Sequence, residues 1–205
     1  MKDPNDVRKV VTYEVGNSLY INLTNRCSNS CDFCVRVKVD NFEGNNLWLD
    51  SEPSVEDVIS ELSEKQLDSY ENIVFCGFGE PLERIDEAVE ISGWLRERDV
   101  VVRVNTNGQA NLIHGRDVTC DMRGVFDIVS ISLNATCAEE YDELCHSEYG
   151  AAAYEAILEF ARGCVRQGIR TVMTVVDIMS ADSIEICREI AVSCGAEFRV
   201  REMIE

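Results

Sequence analysis

Three cysteines spaced Cys27-x3-Cys31-x2-Cys34 follow directly on the apolar run Leu19-Tyr20-Ile21-Asn22-Leu23. Thiolates are soft ligands that suit iron–sulfur clusters and zinc. Three of them hold a [4Fe–4S] cube and leave one iron without a protein ligand, an open position where chemistry can occur. A purely electron-carrying cluster takes four cysteines, and a structural zinc site reads as two separated pairs; neither pattern is present here. Zinc, or three unrelated thiols in a cysteine-rich chain, are the competing readings, and the residues downstream bear on the choice.

The run Asn72–Phe75 leads into Cys76-Gly77-Phe78-Gly79-Glu80-Pro81-Leu82. Its glycines permit close backbone approach and Pro81 ends the strand. Glu80 reads as a brace for this turn rather than a proton donor. The next two runs end in Val104-Asn105-Thr106-Asn107-Gly108 and Ser130-Ile131-Ser132-Leu133-Asn134, where period two throws Ser130, Ser132 and Asn134 to one side. Helix capping and turn formation are the ordinary uses of such residues, Asn107-Gly108 above all. Asp177, after Val175-Val176, flanks a ligand or caps the next loop.

The cysteine spacing, with Phe33 before the third cysteine, the Gly-Phe-Gly-Glu-Pro turn and the two Asn-bearing strand ends together resemble the radical S-adenosylmethionine (SAM) superfamily from Leu19 to about Glu202. The resemblance implies a [4Fe–4S] cluster on Cys27, Cys31 and Cys34, with the open iron chelating the amino and carboxylate groups of SAM. Phe33, Gly77, Phe78, Gly79, Glu80, Asn105, Asn107, Ser132, Asn134 and Asp177 would surround the cofactor. Phe78 is a departure, standing where the family's Gly-Gly-Glu-Pro turn often has a glycine. The implied reaction is reductive cleavage of SAM to methionine and a 5′-deoxyadenosyl radical that abstracts hydrogen, fed by a reductant such as flavodoxin or ferredoxin.

More narrowly, Asn45-Asn46-Leu47-Trp48-Leu49, the stretch Asn107 to Val118, and Ser132-Leu133-Asn134-Ala135 resemble the small radical SAM proteins associated with TatD-type hydrolases, a group that brings no substrate with it. Substrate contacts are expected from Asn46 and Trp48 after the cluster loop and from His114, Arg116 and Asp117, for which a salt-bridged surface loop is the competing reading. Arg199 and Arg201 alternate along the last strand, where an anionic ligand would suit them or where they neutralise the chain's own carboxylates. The substrate is a small molecule, a peptide, or the backbone of a glycyl radical protein that the chain activates. A redox sensor that binds the cluster without turnover is the reading of a different class.

These residues need elements to position them. Short β-rich runs at Leu19–Leu23, Asn72–Phe75, Val100–Val104, Ile128–Leu133, Thr171–Val176 and Glu197–Val200 alternate with amphipathic stretches at Val55–Lys65, Asp86–Arg98, Arg116–Met122, Tyr154–Gln167 and Asp182–Ser193. The expectation is an α/β fold, a partial (β/α)6 barrel of the radical SAM type with a parallel sheet and outer helices. Right-handed crossovers gather the loops after the strands at one face, and the cysteine loop is among them. One domain over residues 1–205 is expected, with residues 1–17 as an N-terminal extension whose Val10–Val15 run adds a flanking strand. Little chain follows the last strand, so the barrel is expected to be open on one side for a partner to close.

The composition limits the function classes. A chain of 205 residues with 45% hydrophobic side chains suffices for one real core. No apolar segment approaches about 18 residues and Met1 to Asp6 are polar, so neither a membrane span nor a targeting signal is expected. A net charge of −19 argues against a nucleic-acid partner, whose phosphates need Lys and Arg. Ten cysteines without a secretory signal point to a reducing cytoplasm. Cys164, Cys187 and Cys194 read as buried small hydrophobes; Cys120, Cys137 and Cys145 fall nearer the active face, with packing set against a second cluster or a thiol hydrogen donor.

Overall fold

Alternating Val, Ile and Phe runs and helical stretches fold in the order in which they occur. The computed structural model describes residues 10–39 and 41–203. Among the described residues seven strands form one sheet in sequence order: β1 (Thr12–Val15), β2 (Ser18–Ile21), β3 (Asn72–Phe75), β4 (Val102–Thr106), β5 (Ile128–Ser132), β6 (Arg170–Val176) and β7 (Glu197–Arg201). β1 lies antiparallel to β2, and every later pair is parallel. β1 and β7 are not paired with each other, so the sheet is an open partial barrel. The six expected parallel strands are all present, β1 is the expected flanking strand, and the first nine residues of the N-terminal extension lie outside the described residues.

The connections are α1 (Val35–Lys38) and α2 (Val55–Ser63) after β2, α3 (Ile85–Arg96) after β3, and α4 (Ala110–His114) and α5 (Thr119–Met122) after β4. α6 (Ala138–Cys145) and α7 (Ala152–Arg166) follow β5, and α8 (Ala181–Ser193) follows β6. Two expectations are corrected. The helix expected over Arg116–Met122 is only Thr119–Met122, because Asp117 turns back to accept from the Thr119 N–H at 2.9 Å and its hydroxyl at 2.7 Å, which starts the helix there. The segment expected as a polar excursion over Asp40–Ser51 buries Leu47; Asp40 itself lies outside the described residues.

Strand alternation divides the molecule. On the convex face Leu19, Ile21, Ile73, Phe75, Val102, Val104, Val129, Ile131, Met173 and Val175 pack against Val58, Leu62, Ile91, Leu95, Ile157, Phe160 and Cys187 of the helices. Burying each of the larger side chains contributes about 1.5–3 kcal/mol. α2 begins in a capping box, in which Ser54 Oγ accepts from Asp57 N and the Asp57 carboxylate accepts from Ser54 N, and it then buries Val58 and Leu62. Buried Arg84 ties the active-face ends together: Nη1 donates to the carbonyls of Leu23 at 3.1 Å and Pro53 at 2.7 Å.

The concave face carries the other residues of each strand: Tyr20, Asn105, Ser130, Ser132, Thr174, Arg199 and Arg201 among them. It is polar where the convex face is apolar. Residues 41–51 fold over its β1–β3 side, where Asn22 Nδ2 donates to Leu47 O at 2.6 Å and Asn25 exchanges two hydrogen bonds with the Leu49 backbone. Tyr13, Leu47 and Phe78 form a second small apolar cluster beneath this segment.

Candidate functional site

The three cysteines leave the C-terminal end of β2, the end at which all the later strand loops gather. Cys27, Cys31 and Cys34 are half-buried and line one cavity together with Phe33, the Gly77–Glu80 turn, Asn105, Asn107, Ser132 and Asn134. The loop is held from several directions. Arg36 Nη2 donates to Asn29 O at 3.0 Å; Ser30 N donates to Cys145 O at 3.0 Å. Glu80 N donates to Arg26 O at 2.7 Å, which brings the glycine turn against the segment that enters Cys27. An added Cβ on Gly79 would lie 2.3 Å from Thr24 O and 2.5 Å from Arg26 O, so only glycine allows that approach.

Glu80 is fully enclosed. One carboxylate oxygen accepts from Leu82 N at 3.0 Å and Thr106 Oγ1 at 2.8 Å, the other from Asn107 N at 2.6 Å. Burial pushes its carboxyl up to about 7 against the pull of these donors. It braces the turn onto the β4 loop, as its position before Pro81 suggests. Phe78 fills the small cluster with Tyr13 and Leu47 and meets the Trp48 ring edge-on at 5.2 Å. The covering segment supplies an apolar partner at this point, a physical reason for a bulky residue at a position where glycine would leave a hole.

A buried polar network that the motifs did not reveal centres on Gln109. Its Oε1 accepts from Ser28 Oγ at 3.1 Å and Ser147 Oγ at 2.8 Å; its Nε2 donates to Asn29 Oδ1 at 2.8 Å and Tyr141 Oη at 2.9 Å. Asn107 Nδ2 donates to Ser28 Oγ at 2.9 Å. Ser28 and Asn29 sit between the first two cysteines, so the β4 loop and α6 set the shape of the cysteine loop. The signal available in the sequence was Gln109 two residues after Asn107; its partners are remote in sequence and left no pattern. Cys145 was weighed as packing, hydrogen donor or cluster residue: it is buried, and its thiol hydrogen-bonds Cys31. Cys164 and Cys187 are buried in α7 and α8, Cys194 is buried just past α8, and Cys120 is exposed.

Burial pushes the Cys27 thiol up to about 12 and raises Cys34, whereas the Cys145 hydrogen bond lowers Cys31; Arg36 favours the thiolate at all three. Ligation has to expel these protons, as binding of thiolates to a metal centre does. The donor set is three soft sulfurs lining one cavity. Among the described residues no three metal-binding side chains converge so as to hold a single ion. A set of three thiols suits a cube that takes one thiolate per iron.

Further in, Asn105 Oδ1 and Asn134 Oδ1 are buried without a hydrogen-bond partner, and both residues line the same cavity. Asn134 holds φ at +56°, a conformation that Asn tolerates better than most residues. Two orphaned acceptors facing a cavity fit a ligand rich in N–H and O–H donors, as the ribose hydroxyls and adenine amine of SAM are.

The other expected residues are distributed unevenly. Arg199 and Arg201 line the cavity. Asp177 does not; it accepts from Met203 N at 2.8 Å, and its own N–H donates to Arg201 O at 3.0 Å, so it anchors the segment that does. Trp48 stands behind Phe78 and is 38% exposed, and Asn46 Oδ1 accepts from Trp48 N at 2.9 Å. His114, Arg116 and Asp117 are not brought to the cavity. His114 Nε2 bonds Leu82 O at 2.8 Å, Arg116 pairs with Asp121 and Asp86 at the surface, and Asp117 starts α5. The surface-loop reading describes these three, and it corrects their expected place beside a substrate.

The model of the Radical SAM superfamily matches residues 21–190 of the chain. No protein of curated function matches its sequence. Among solved structures, Streptococcus suis SuiB bound to S-adenosylmethionine is similar with a TM-score of 0.70 at 15% identity, over 92% of this chain and 41% of that one. SuiB bound to precursor peptide SuiA gives 0.70 at 16%, over 92% and 40%. Methylornithine synthase, PylB, gives 0.62 at 12% identity over 91% and 53%, and a radical SAM methyltransferase from Sphaerobacter thermophilus gives 0.60 at 15% over 93% and 68%. The chain thus spans about two fifths of the length of SuiB.

Proposed function

The chain belongs to the radical SAM superfamily, whose members use a [4Fe–4S] cluster and SAM, and we propose that it is an enzyme that cleaves SAM reductively to abstract hydrogen from a substrate. The observation that carries this reading is that the thiols of Cys27, Cys31 and Cys34 and the orphaned oxygens of Asn105 and Asn134 line one cavity. A [4Fe–4S] cluster held by Cys27, Cys31 and Cys34 would supply the one-electron reduction that cleaves the SAM sulfonium and so enables hydrogen abstraction.

The chain's own residues bind, orient and exclude water. Cys27, Cys31 and Cys34 hold three irons; Arg36 offsets their charge. Gly77 and Gly79 lay bare backbone along the ligand, with Glu80 fixing the turn to the β4 loop. Asn105, Ser132 and Asn134 hydrogen-bond the ribose hydroxyls, and Phe33 and Phe78 close the cavity to solvent. None of these groups needs to act as nucleophile or base, so orientation and shielding are the protein's share. A ferredoxin or flavodoxin is the proposed electron donor.

The substrate is proposed to be a small molecule or a peptide. SuiB is crystallised with a precursor peptide, and the open side of this sheet between β1 and β7 leaves room for one. The kinship with small TatD-associated members and the single-domain organisation are parts of the same proposal. Anaerobic reconstitution with iron and sulfide, followed by chromatography of 5′-deoxyadenosine and methionine under strong reduction, tests it.

A further inference from the structure

Strand alternation places Arg103 of β4 and Arg199 and Arg201 of β7 on the concave face. Arg199 and Arg201 line the cavity, opposite Thr174 and Val176 in the β6–β7 register. Arg103 approaches from the other side of the barrel, where Tyr20, Val74 and Arg103 are level across β2, β3 and β4. Arg103 Nη2 donates to Tyr20 Oη at 3.3 Å. Burial raises the Tyr20 hydroxyl and the Cys76 thiol; Arg103 and Arg199 pull the first down and Arg201 and Arg103 the second, so all three charges reach the same stretch of the concave face.

None of the three forms an ion pair among the described residues. This is notable in a chain with 38 acidic and 19 basic residues, where Arg26, Arg84, Arg96, Arg116, Arg162 and Arg170 all find carboxylates. The carboxylates beside the cavity do not serve them: Glu80 is consumed by Leu82, Thr106 and Asn107, and Glu202 makes no ion pair. Arg103 Nε is buried with no partner. Arg201 is bonded only through Nε, to Thr174 Oγ1 at 3.1 Å, and burial together with the Arg199 charge disfavours its cation. Partly buried cations such as Arg103 and Arg201 lose hydration without gaining a counter-charge, and guanidinium forks match the paired oxygens of carboxylate and phosphate.

We propose that Arg103, Arg199 and Arg201 form an anion subsite that takes a carboxylate or phosphate group of the substrate, so that the substrate class is anionic. The word substrate rests on the function proposed above; the anion site itself does not. The site lies on β4 and β7 rather than on the cysteine loop: Arg199 and Arg201 line the cavity, and Arg103 stands on the concave face two residues before Asn105, which also lines it.

The test uses the reconstituted full chain at constant ionic strength, with chloride replaced by inorganic phosphate in one arm and by acetate in another, and the thermal unfolding midpoint as readout. A ligand of the folded state raises that midpoint by mass action. The expected result is a rise of a few degrees in at least one arm, which identifies the oxygen chemistry, and an apparent affinity about tenfold weaker in Arg201→Gln and in Arg103→Gln. In chloride alone these variants are expected to unfold no earlier than wild type, because each removes an unpaired cation; a purely structural arginine would lower the midpoint. Exposed Arg199→Gln supplies a variant with little risk to folding. SAM binding to wild type, measured by equilibrium dialysis with and without the effective anion, separates the two proposals: simultaneous binding is expected. One-for-one competition assigns the arginines to the SAM carboxylate and overturns the subsite, as does an equal midpoint shift in wild type and the three variants. Cluster-loaded wild type that binds the anion but not SAM would sink the proposed function and leave the subsite standing.

Discussion

Glu80 Oε2 accepts the backbone N–H of Asn107 at 2.6 Å, and this one bond joins the glycine turn after β3 to the polar loop after β4. Three donors converge on a carboxylate that is buried. Replacing Glu80 by Gln sets an amide nitrogen against a backbone N–H or the Thr106 hydroxyl, and is expected to cost about 1–3 kcal/mol in denaturant unfolding.

The same residue gives a pH dependence. Burial holds the Glu80 carboxyl up to about 7, above its ordinary value, so the folded protein binds this proton more tightly than the unfolded chain does. Its contribution is full below the unfolded value of about 4.3 and is lost as pH rises through about 7. Urea midpoints between pH 5 and 8 should therefore fall with rising pH, less steeply in Glu80→Gln; a slope identical in the two proteins would place the titration elsewhere.

Two glycines should respond in opposite directions to alanine. Gly79→Ala drives a Cβ into the Thr24 and Arg26 carbonyls and displaces the segment that enters Cys27, so reconstituted iron per chain should drop by half or more. Gly93 lies within α3 with nothing near its added Cβ; Gly93→Ala should stabilise by about 0.5–1 kcal/mol through helix propensity and leave iron unchanged. Iron assay and unfolding midpoints decide both.

Gln109 accepts from two hydroxyls and donates to two acceptors at once, and Gln109→Leu takes one hydrogen-bond partner each from Ser28, Asn29, Tyr141 and Ser147. A loss of about 2 kcal/mol is expected, with faster release of iron to a chelator, because Ser28 and Asn29 are in the cysteine loop itself. Unchanged iron release in a folded Gln109→Leu protein would detach the network from the cluster loop.

The parallel strands were legible because Val, Ile and Phe recur between amphipathic stretches, and Asn72–Phe75 could be bounded to the residue by the charged and glycine-rich flanks. Short helices were not. α6 is rich in acidic residues and fully buries only Tyr141 and Cys145, with Ala138 and Leu144 partly buried beside them, while α1 has no fully buried residue. The cysteine loop and the glycine turn were legible because their chemistry depends on local spacing. Gln109, Arg36 and Arg103 were not, since each acts through partners that only the fold brings near. His114 and Arg116 looked chemical in sequence and proved to be loop anchors, because nothing local distinguishes an ion pair that closes a turn from one that meets a ligand.

Cys145 and Cys31 touch, yet only one is expected to be a ligand. The Cys145 carbonyl already positions the loop through Ser30 N, so Cys145→Ala should reconstitute to wild-type iron content with some loss of stability, whereas Cys31→Ala should not hold the cluster. Iron and sulfide analysis separates them.

The most direct measurement of the central claim is product formation by anaerobically reconstituted, fully loaded protein incubated with SAM and a strong chemical reductant. The account predicts slow release of 5′-deoxyadenosine and methionine in equal amounts, absent in Cys31→Ala. Protein that carries a [4Fe–4S] cluster and binds SAM, yet releases no 5′-deoxyadenosine even when cell extract is added as a source of substrate, would contradict it.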